Sequence, residues 1–209
     1  MNVNSYIKPD WFDQDMQYLI HRTTYECQDK FITAQVIGDA KHRRASVVYQ
    51  RDFMLLFGKF LDKLLPEIPR ILTALAIPEA IAWYPTTEVL RELCDVQLTM
   101  YGQGGYFQPH RDNDTPLVPR VARRIVSFVY YYTLSANQNY MGGTLRLYQS
   151  QPHDPNLTVF DDINPTNNLL ICFDSSILHE VMPVIVPSGK FIDNRFSLNG
   201  WLSLPLELA

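Results

Sequence analysis

The chain has 209 residues, 46% of them hydrophobic and 19% charged, so it can bury a core and is typical of one globular domain rather than a disordered segment. Its 18 lysines and arginines are outnumbered by 22 aspartates and glutamates, and the formal charge of -4 argues against a nucleic-acid partner. Three widely separated cysteines, Cys27, Cys94 and Cys172, form no C-x-x-C pair, which argues against a zinc ribbon or a disulfide framework and favours reduced thiols in a cytoplasm.

The N-terminal segment lacks the apolar stretch that a secretory signal needs, since residues 1–12 include Asn, Ser, Lys, Pro and Asp. The most apolar long stretch, residues 71–83, is interrupted by Pro78 and Glu79 and is shorter than the ~20 residues of a membrane helix. We therefore expect a cytoplasmic protein with no membrane partner, and the sequence leaves its oligomeric state open.

One helix is predicted strongly in the first part of the chain. A short basic cluster at residues 41–44 comes before it and predicts a solvated turn or a strand edge. Apolar residues then recur at helical spacing between Arg51 and Leu65, and Pro66 and Pro69 are expected to end the helix. The apolar face predicts packing against a sheet and consists of Phe53, Leu56, Phe57, Phe60, Leu61 and Leu64.

After Pro85 the sequence changes to short β-rich segments separated by Gly, Pro, Asn and Asp turns. These segments are DVQLTMY, RIVSFVYYYTL, GTLRLY, NLLICF and RFSLNGWLSL. Many short strands at close spacing predict a sandwich, a barrel or a jelly roll. We therefore expect a mainly β protein with flanking helices, an α+β chain whose helices pack outside a double-sheet core.

The segment YFQPHRDND places His110 and Asp112 two residues apart, directly after a glycine-rich run. Residues at i and i+2 of an extended segment project to the same side, so an imidazole and a carboxylate can hold one metal ion together. By itself this pattern also fits a solvated loop. Arg111, between the two, should point away from the metal, toward either substrate at the mouth of the cavity or solvent.

His179 is the candidate for a third ligand. It follows the apolar run of residues 169–173 and the turn DSS, just past a predicted strand end, where a rigid scaffold can aim a side chain inward. Two histidines and one carboxylate on one face of an ion leave coordination positions open, as in non-heme Fe(II) oxygenases. Taken alone, His179 also fits a structural histidine.

The last predicted strand, NRFSLNGWL, carries polar residues on one face. Arg195, Ser197, Asn199 and Trp201 alternate with Phe196, Leu198 and Gly200. Buried polar groups are costly without a partner, and the planar fork of Arg suits bidentate binding of a carboxylate. The face therefore fits either a buried dicarboxylate cosubstrate or an edge strand in contact with water.

The order of these motifs is similar to that of a known family. The segments YGQGGYFQPHRDN, RIVSFVYYY, GGTLRLY, NLLICFDSSILHEV and RFSLNGW together resemble the Fe(II)- and 2-oxoglutarate-dependent dioxygenases. Within that superfamily they are most similar to the prolyl-hydroxylase branch, which includes the hypoxia-inducible-factor and ribosomal-protein prolyl hydroxylases. The resemblance covers residues 93–203.

The resemblance implies a single dioxygenase domain over residues 1–209, with a helix-rich support in 1–92 and a double-stranded β-helix (a cupin-like jelly roll) in 93–209. It implies Fe(II), 2-oxoglutarate and O2, and it allows ascorbate as a reductant. His110, Asp112 and His179 would be the catalytic iron ligands. The expected cofactor-binding residues are Arg195 as partner of the C5 carboxylate of 2-oxoglutarate, Tyr131 at that carboxylate, Tyr101 beside the cosubstrate, Ser197, Asn199, and Trp201 in the pocket wall.

The alignment leaves two matters open. If the alignment with the family motif shifts by one residue, Tyr130 or Tyr132 takes the place of Tyr131 at the carboxylate of 2-oxoglutarate. The substrate is expected to be a prolyl residue of a protein or peptide, with Arg111 as a candidate contact, and the alternative is a free amino acid or small natural product. A non-catalytic metal or ligand sensor with the same fold is a third hypothesis, which the complete ligand set together with Arg195 disfavours.

Overall fold

A computed structural model of the chain describes residues 3–34, 42–77, 87–114, 118–149 and 160–205. Within these ranges the strands form a seven-stranded sheet, a five-stranded sheet and a two-stranded ribbon. The strands are β1 (Ser5–Lys8), β2 (Ile32–Thr33), β3 (Arg43–Arg44), β4 (Ser46–Tyr49), β5 (Cys94–Tyr101), β6 (Tyr106–His110), β7 (Arg124–Tyr132), β8 (Met141–Gly142), β9 (Leu145–Tyr148), β10 (Phe160–Ile163), β11 (Leu169–Asp174), β12 (His179–Val181), β13 (Val184–Ile185) and β14 (Arg195–Ser203).

The larger sheet has the strand order β1-β11-β7-β14-β5-β4-β2, and its described pairs are antiparallel. The central strand β14 pairs with β5 on one side and β7 on the other. Its Ser197 lies opposite both Thr99 and Tyr131, and its Arg195 lies opposite Tyr101. This register puts the polar face predicted for the last strand at the centre of the sheet, and not at an edge.

Alternation along the strands divides the larger sheet into two faces. On one face Tyr130 and Tyr132 pack with helical residues in the main hydrophobic cluster. On the other face Tyr131 packs with Ile171 of the same sheet and with Leu147 of the smaller sheet. The second face is therefore the interior between the two sheets, and the first supports the helices.

The smaller sheet has the order β10-β9-β12-β6-β3. Its strand β6 pairs with β12 so that His110 lies opposite His179 and Phe107 opposite Val181. Three residues along β6 thus pair with two along β12, which makes a β-bulge. A β-bulge changes the direction of the side chains next to it. Because of it, the rings of Phe107 and His110 stack, with centroids 3.5 Å apart.

The helices cover the outer face of the larger sheet. Helix α1 begins after Asp13, whose carboxylate accepts a hydrogen bond from the Met16 amide at 2.9 Å, a stabilising N-cap. Phe60 of the second helix stacks on Phe128 of the sheet, with centroids 5.5 Å apart. The helices are α1 (Gln14–Glu26), α2 (Met54–Leu64), α3 (Ile68–Ala74), α4 (Thr87–Leu93) and α5 (Pro119–Ala122).

The helix predicted from Arg51 begins at Met54, and five of its six predicted apolar positions are buried within it. The sixth, Phe53, is buried just before the first turn. Helix α2 ends at Leu64, just before Pro66, as predicted. Pro66 then lies in a 3-10 turn and Pro69 in the first turn of a new helix, α3, where a missing amide hydrogen costs nothing.

The mainly β fold with flanking helices is confirmed. The N-terminal segment also adds strands to both sheets, since β1 pairs with β11 and β3 pairs with β6. Strands of two to four residues carry too little alternation to be recognised in the sequence. Among the described residues, none of the helices combines the length and apolar character required to cross a membrane.

Candidate metal centre and cosubstrate pocket

The three predicted metal ligands converge at one end of the space between the sheets. His110 Nε2 lies 3.6 Å from Asp112 Oδ1, and His179 Nε2 lies 3.4 Å from Asp112 Oδ2. Ligand atoms of all three residues lie within 4.8 Å of one another, close enough to share a single ion. Their side chains are between 6% and 14% exposed, so bulk water reaches them little.

Backbone contacts orient both imidazoles. His110 Nδ1 lies 2.8 Å from the Gln108 carbonyl oxygen, and His179 Nδ1 lies 2.9 Å from the Ile177 carbonyl oxygen. A carbonyl only accepts hydrogen bonds, so each Nδ1 carries the proton and each Nε2 keeps its lone pair. The Nε2 atoms are the ones that face Asp112, and both rings are thus prepared to bind a cation.

Two serines hold Asp112, Ser127 at its carboxylate and Ser175 at its backbone amide. The Ser127 hydroxyl donates to Asp112 Oδ2 at 2.6 Å and lies 2.9 Å from the Ser175 hydroxyl. The Asp112 amide donates to the Ser175 carbonyl at 3.0 Å. Ser127 comes from the larger sheet and Ser175 from the turn before His179, so the carboxylate is fixed relative to both.

The charges of the site favour a bound cation. Burial raises the pKa of the Asp112 carboxyl, but the nearby imidazoles and the Ser127 hydrogen bond outweigh it and hold that pKa well below its usual value. Burial lowers the pKa of His179 to about 4, with a further decrease from His110. An anionic carboxylate and a neutral imidazole are the forms that bind metals, and this donor set suits non-heme Fe(II).

Arg195 lies deeper between the sheets and is 1% exposed. Its Nε donates to the Gly143 carbonyl at 2.8 Å, and its guanidinium carbon lies 4.9 Å from the Tyr101 ring and 5.0 Å from the Tyr131 ring. Gly143 has a φ of +70°, and a Cβ there would lie 2.5 Å from Arg195 Cδ, so only glycine fits. The guanidinium of Arg195 is therefore held in place by the hydrogen bond at its Nε atom.

Several buried polar atoms of Arg195 and its neighbours on strands β5, β7 and β14 have no hydrogen-bond partner among the described residues. Buried polar groups are nearly always paired, and a cluster of exceptions indicates a missing polar ligand. The atoms are Arg195 Nη1, the hydroxyls of Tyr101, Tyr131, Thr99 and Ser197, Gln97 Nε2 and Asn199 Oδ1. A guanidinium and several hydroxyls suit a carboxylate, so the residues present fit a 2-oxo dicarboxylic acid bound between the metal and Arg195.

The structure distinguishes among the three consecutive tyrosines. The Tyr130 hydroxyl donates to Asn168 Oδ1 at 2.9 Å, and the Tyr132 hydroxyl lies 2.9 Å from the Thr24 hydroxyl on the helical side. Tyr131 faces Arg195, and burial raises its pKa to about 12 against the opposing effect of that arginine, so its hydroxyl stays protonated and can donate. Tyr131 is thus the tyrosine that faces the expected cosubstrate site.

A groove of about 680 Å³ opens at the metal end, and a chamber of about 30 Å³ lies behind it between the sheets. Trp201 and Phe107 line both, whereas Arg111 lines only the groove. Arg111 donates to the Ser176 carbonyl, which ties it to the turn before His179. Arg111 therefore lines the groove, and its contact with substrate stays a prediction.

Sequence reasoning missed several residues of the site. Ser127 lies four residues before Tyr131 on the same strand, so both side chains face the interior between the sheets. This alternation could have predicted Ser127 from the sequence. Arg124 stacks on Trp201 at 3.8 Å and donates to the Asp112 carbonyl at 3.3 Å, and no sequence pattern indicated it. The basic cluster was expected to be a solvated turn or a strand edge, and Arg43 and Arg44 do form the edge strand β3 of the smaller sheet. Arg44 is exposed, whereas Arg43 is buried and lines the chamber, and Lys41 lies outside the described residues.

Comparison with known proteins agrees with this geometry. The sequence profile described as the 2OG-Fe(II) oxygenase superfamily matches residues 96–203, just over half of the chain. This chain therefore belongs to the 2OG-Fe(II) oxygenase superfamily, whose enzymes use Fe(II), 2-oxoglutarate and O2. The membership and the cofactors predicted from the motifs are confirmed.

Particular relatives lie in the prolyl-hydroxylase-like branch. An uncharacterized PKHD-type hydroxylase of Synechocystis sp. is 28% identical over 165 residues, which are 78% of this chain and 50% of that protein. The chain thus spans about half the length of this curated relative.

Two solved structures share the fold. A prolyl-4-hydroxylase of Pseudomonas putida has a TM-score of 0.64 at 17% identity, covering 97% of this chain and 93% of its own. A Trichoplax adhaerens prolyl hydroxylase, solved with a peptide fragment of the hypoxia-inducible factor oxygen degradation domain, has a TM-score of 0.65 at 16% identity, with coverages of 96% and 84%.

Proposed function

We propose that this protein is a hydroxylase that uses Fe(II), 2-oxoglutarate and O2 to hydroxylate a prolyl residue of a protein or peptide. One observation carries the proposal: ligand atoms of His110, Asp112 and His179 lie within 4.8 Å of one another, and the buried guanidinium of Arg195 projects from the facing sheet of the same double-sheet core. A metal-binding sensor has no need of a second, cationic subsite lined by unpaired donors.

In this proposal His110, Asp112 and His179 hold the iron through two Nε2 atoms and a carboxylate oxygen. When bound, iron and cosubstrate supply the oxidation that places one oxygen atom of O2 in a C–H bond of the substrate, while 2-oxoglutarate becomes succinate and CO2. Ser127 keeps the carboxylate of Asp112 oriented through its 2.6 Å hydrogen bond.

The other residues position the cosubstrate and exclude water. Arg195 binds the distal carboxylate with its free Nη1, and the protonated Tyr131 hydroxyl donates to the same group. The Tyr101 ring, Ser197 and Asn199 line the remaining wall. Val129, Leu145 and Phe173 line the chamber with apolar surface, which keeps it dry and strengthens the charge pairing.

The open shape of the entrance supports a peptide substrate. The groove of about 680 Å³ borders His110 and Asp112, and Phe107 and Trp201 in its wall offer ring surfaces to a pyrrolidine. Similarity to proteins named prolyl hydroxylases supports the same substrate. The alternative, a free amino acid or small natural product, would be favoured by a closed pocket.

The proposal includes the organisation of the chain. Residues 1–209 form one catalytic domain, in which helices of the 1–92 segment pack on the outer face of the larger sheet and support it. The three cysteines are free and buried, which is the usual state of thiols in a reducing cytoplasm and supports that location.

Mass spectrometry tests the proposal directly. The purified protein is incubated with Fe(II), 2-oxoglutarate and O2 against a panel of proline-containing peptides and free metabolites, with ascorbate present. We expect one added oxygen atom on a peptide proline with matching succinate release, and neither product from Asp112→Ala. Oxygen added only to a free metabolite would replace the peptide assignment, and turnover by Asp112→Ala would contradict the metal centre.

A further inference from the structure

A second arginine is buried near the metal centre, and the proposed chemistry gives it no role. Arg43 lies on β3 opposite Phe107, and it is 9% exposed. Its guanidinium carbon lies 4.8 Å from the centroid of the Phe107 ring, which itself stacks on the proposed iron ligand His110. Arg43 is therefore one aromatic ring away from the metal centre.

Arg43 borders both the groove and the chamber. It lines the outer groove together with His42 and Arg111, and it lines the chamber together with His110 and Trp201. Arg43 is therefore part of the wall that the groove and the chamber share. By contrast, Arg44 on the same short strand is exposed on the opposite side.

The charge of Arg43 is not compensated by the described part of the chain. No described carboxylate lies within salt-bridge distance of it, and its buried Nε has no described hydrogen-bond partner. A buried donor without an acceptor is unfavourable, so the Nε of Arg43, which lacks a described partner, indicates a position where a bound ligand can supply an anionic acceptor. The stacking on Phe107 compensates only in part.

Other arginines near the groove are already engaged. Arg124 stacks on Trp201 and donates to the Asp112 carbonyl, and Arg111 donates to the Ser176 carbonyl. Arg120 binds Asp95 with two hydrogen bonds of 2.8 Å. A guanidinium can donate two parallel hydrogen bonds to one carboxylate, and its single charge neutralises that carboxylate, whereas a phosphate dianion carries nearly twice the charge.

We propose that Arg43 binds a carboxylate of the substrate, so that the preferred substrates carry an acidic group close to the carbon that is hydroxylated. This inference rests on the proposed function and narrows its substrate class. The carboxylate can come from an acidic side chain next to a peptide proline or from the α-carboxylate of a terminal or free proline. Both sources present the same group to Arg43.

The test uses matched pairs of ligands that differ in one charge. The first pair is a capped hexapeptide with a Glu-Pro-Glu centre and its Gln-Pro-Gln counterpart, the second is a peptide ending in proline as the acid and as the amide, and the third is L-proline and L-prolinamide. Binding is measured by calorimetry on protein loaded with Mn(II) and N-oxalylglycine, which permit no turnover. Hydroxylation of the same compounds is followed separately by mass.

We expect the acidic member of at least one pair to bind about tenfold or more tightly, as for a charge-assisted hydrogen bond to a buried group. Arg43→Gln should remove that preference and Arg43→Lys should retain part of it. Arg44→Gln, the matched control, removes the same charge from the neighbouring position and should keep the whole preference. The pair that responds identifies the source of the carboxylate.

Three results would overturn the inference. They are equal binding within all three pairs, a preference that survives Arg43→Gln, and a tenfold loss of N-oxalylglycine affinity in Arg43→Gln, which would assign Arg43 to the cosubstrate instead. Thermal unfolding of each variant confirms that it is folded. If the charge preference holds but no proline compound gains oxygen, the prolyl assignment fails and carboxylate recognition stands.

Discussion

At the scale of single residues, the hydrogen bond from Ser127 to Asp112 is the contact that most directly supports the metal centre. Ser127→Ala removes a hydroxyl from a buried carboxylate without adding volume. We expect metal affinity to fall about 10- to 100-fold, as for other residues that orient metal ligands. Titration with Fe(II) under anaerobic conditions measures it. Unchanged affinity would mean that Asp112 needs no such support.

Arg195 is the residue on which binding of the cosubstrate should depend. Arg195→Ala removes a buried fork whose Nη1 has no described partner. Loss of one member of a buried charge pair costs on the order of 2–5 kcal/mol, so 2-oxoglutarate affinity should fall at least about 30-fold. Metal affinity, measured in parallel, should change little. Normal 2-oxoglutarate binding by this variant would contradict the assignment.

Gly143 and Gly189 form a matched pair, because both have positive φ values, +70° and +62°. Alanine at Gly143 would contact Arg195 Cδ at 2.5 Å, whereas alanine at Gly189 would meet nothing within 4 Å. Both variants should lose about 1 kcal/mol of stability from backbone strain. Only Gly143→Ala should also weaken 2-oxoglutarate binding in a calorimetric titration. Equal affinities in the two variants would refute the link to Arg195.

At the scale of elements, the segment between β13 and β14 is held by the carboxylate of Asp193. It accepts hydrogen bonds from Ser135, Ser188 and Asn139 at 2.6 to 2.8 Å, and these lower the pKa of Asp193 to about 2. A carboxyl with a lowered folded-state pKa stabilises the fold above its unfolded pKa, about 3.9, and loses that effect as the pH falls toward 2.

Asp193→Asn should therefore unfold at a lower urea concentration than the wild type at pH 7, and the difference should shrink between about pH 4 and pH 2. Asp29→Asn, which removes an exposed carboxylate from another part of the surface, is the control. Urea midpoints measured across this pH range decide the matter. A difference that does not depend on pH would show that the carboxylate charge is not what stabilises the segment.

The sequence predicts the long elements well and the short ones poorly. Strands β5, β7, β11 and β14 are six to nine residues long and carry enough apolar residues to be recognised. Which face of the sheet each of the three consecutive tyrosines in β7 occupies cannot be derived from alternation, because all three are buried. Only the pairing of β7 with β14 decides it. Arg43 lies on a two-residue strand without any periodicity, so its burial depends entirely on tertiary contacts.

At the scale of the whole molecule, the site lies between the two sheets, and each sheet contributes to it. His110 and His179 come from the smaller sheet, whereas Ser127, Tyr131 and Arg195 come from the larger. Metal and cosubstrate therefore bind the folded protein only and should stabilise it against unfolding. Each motif alone left alternatives open, and the order of several motifs together predicted the three metal ligands and Arg195, while the relation between the sheets depends on the complete fold.

The most direct test of the proposed metal centre and cosubstrate pocket is a crystal structure of the protein soaked with Mn(II) and N-oxalylglycine. Anomalous diffraction would locate the metal. We expect one metal about 2 Å from His110 Nε2, His179 Nε2 and an Asp112 oxygen, with the distal carboxylate of the ligand paired with Arg195. A metal that lies elsewhere, or a ligand that leaves Arg195 without a carboxylate partner, would contradict this expectation.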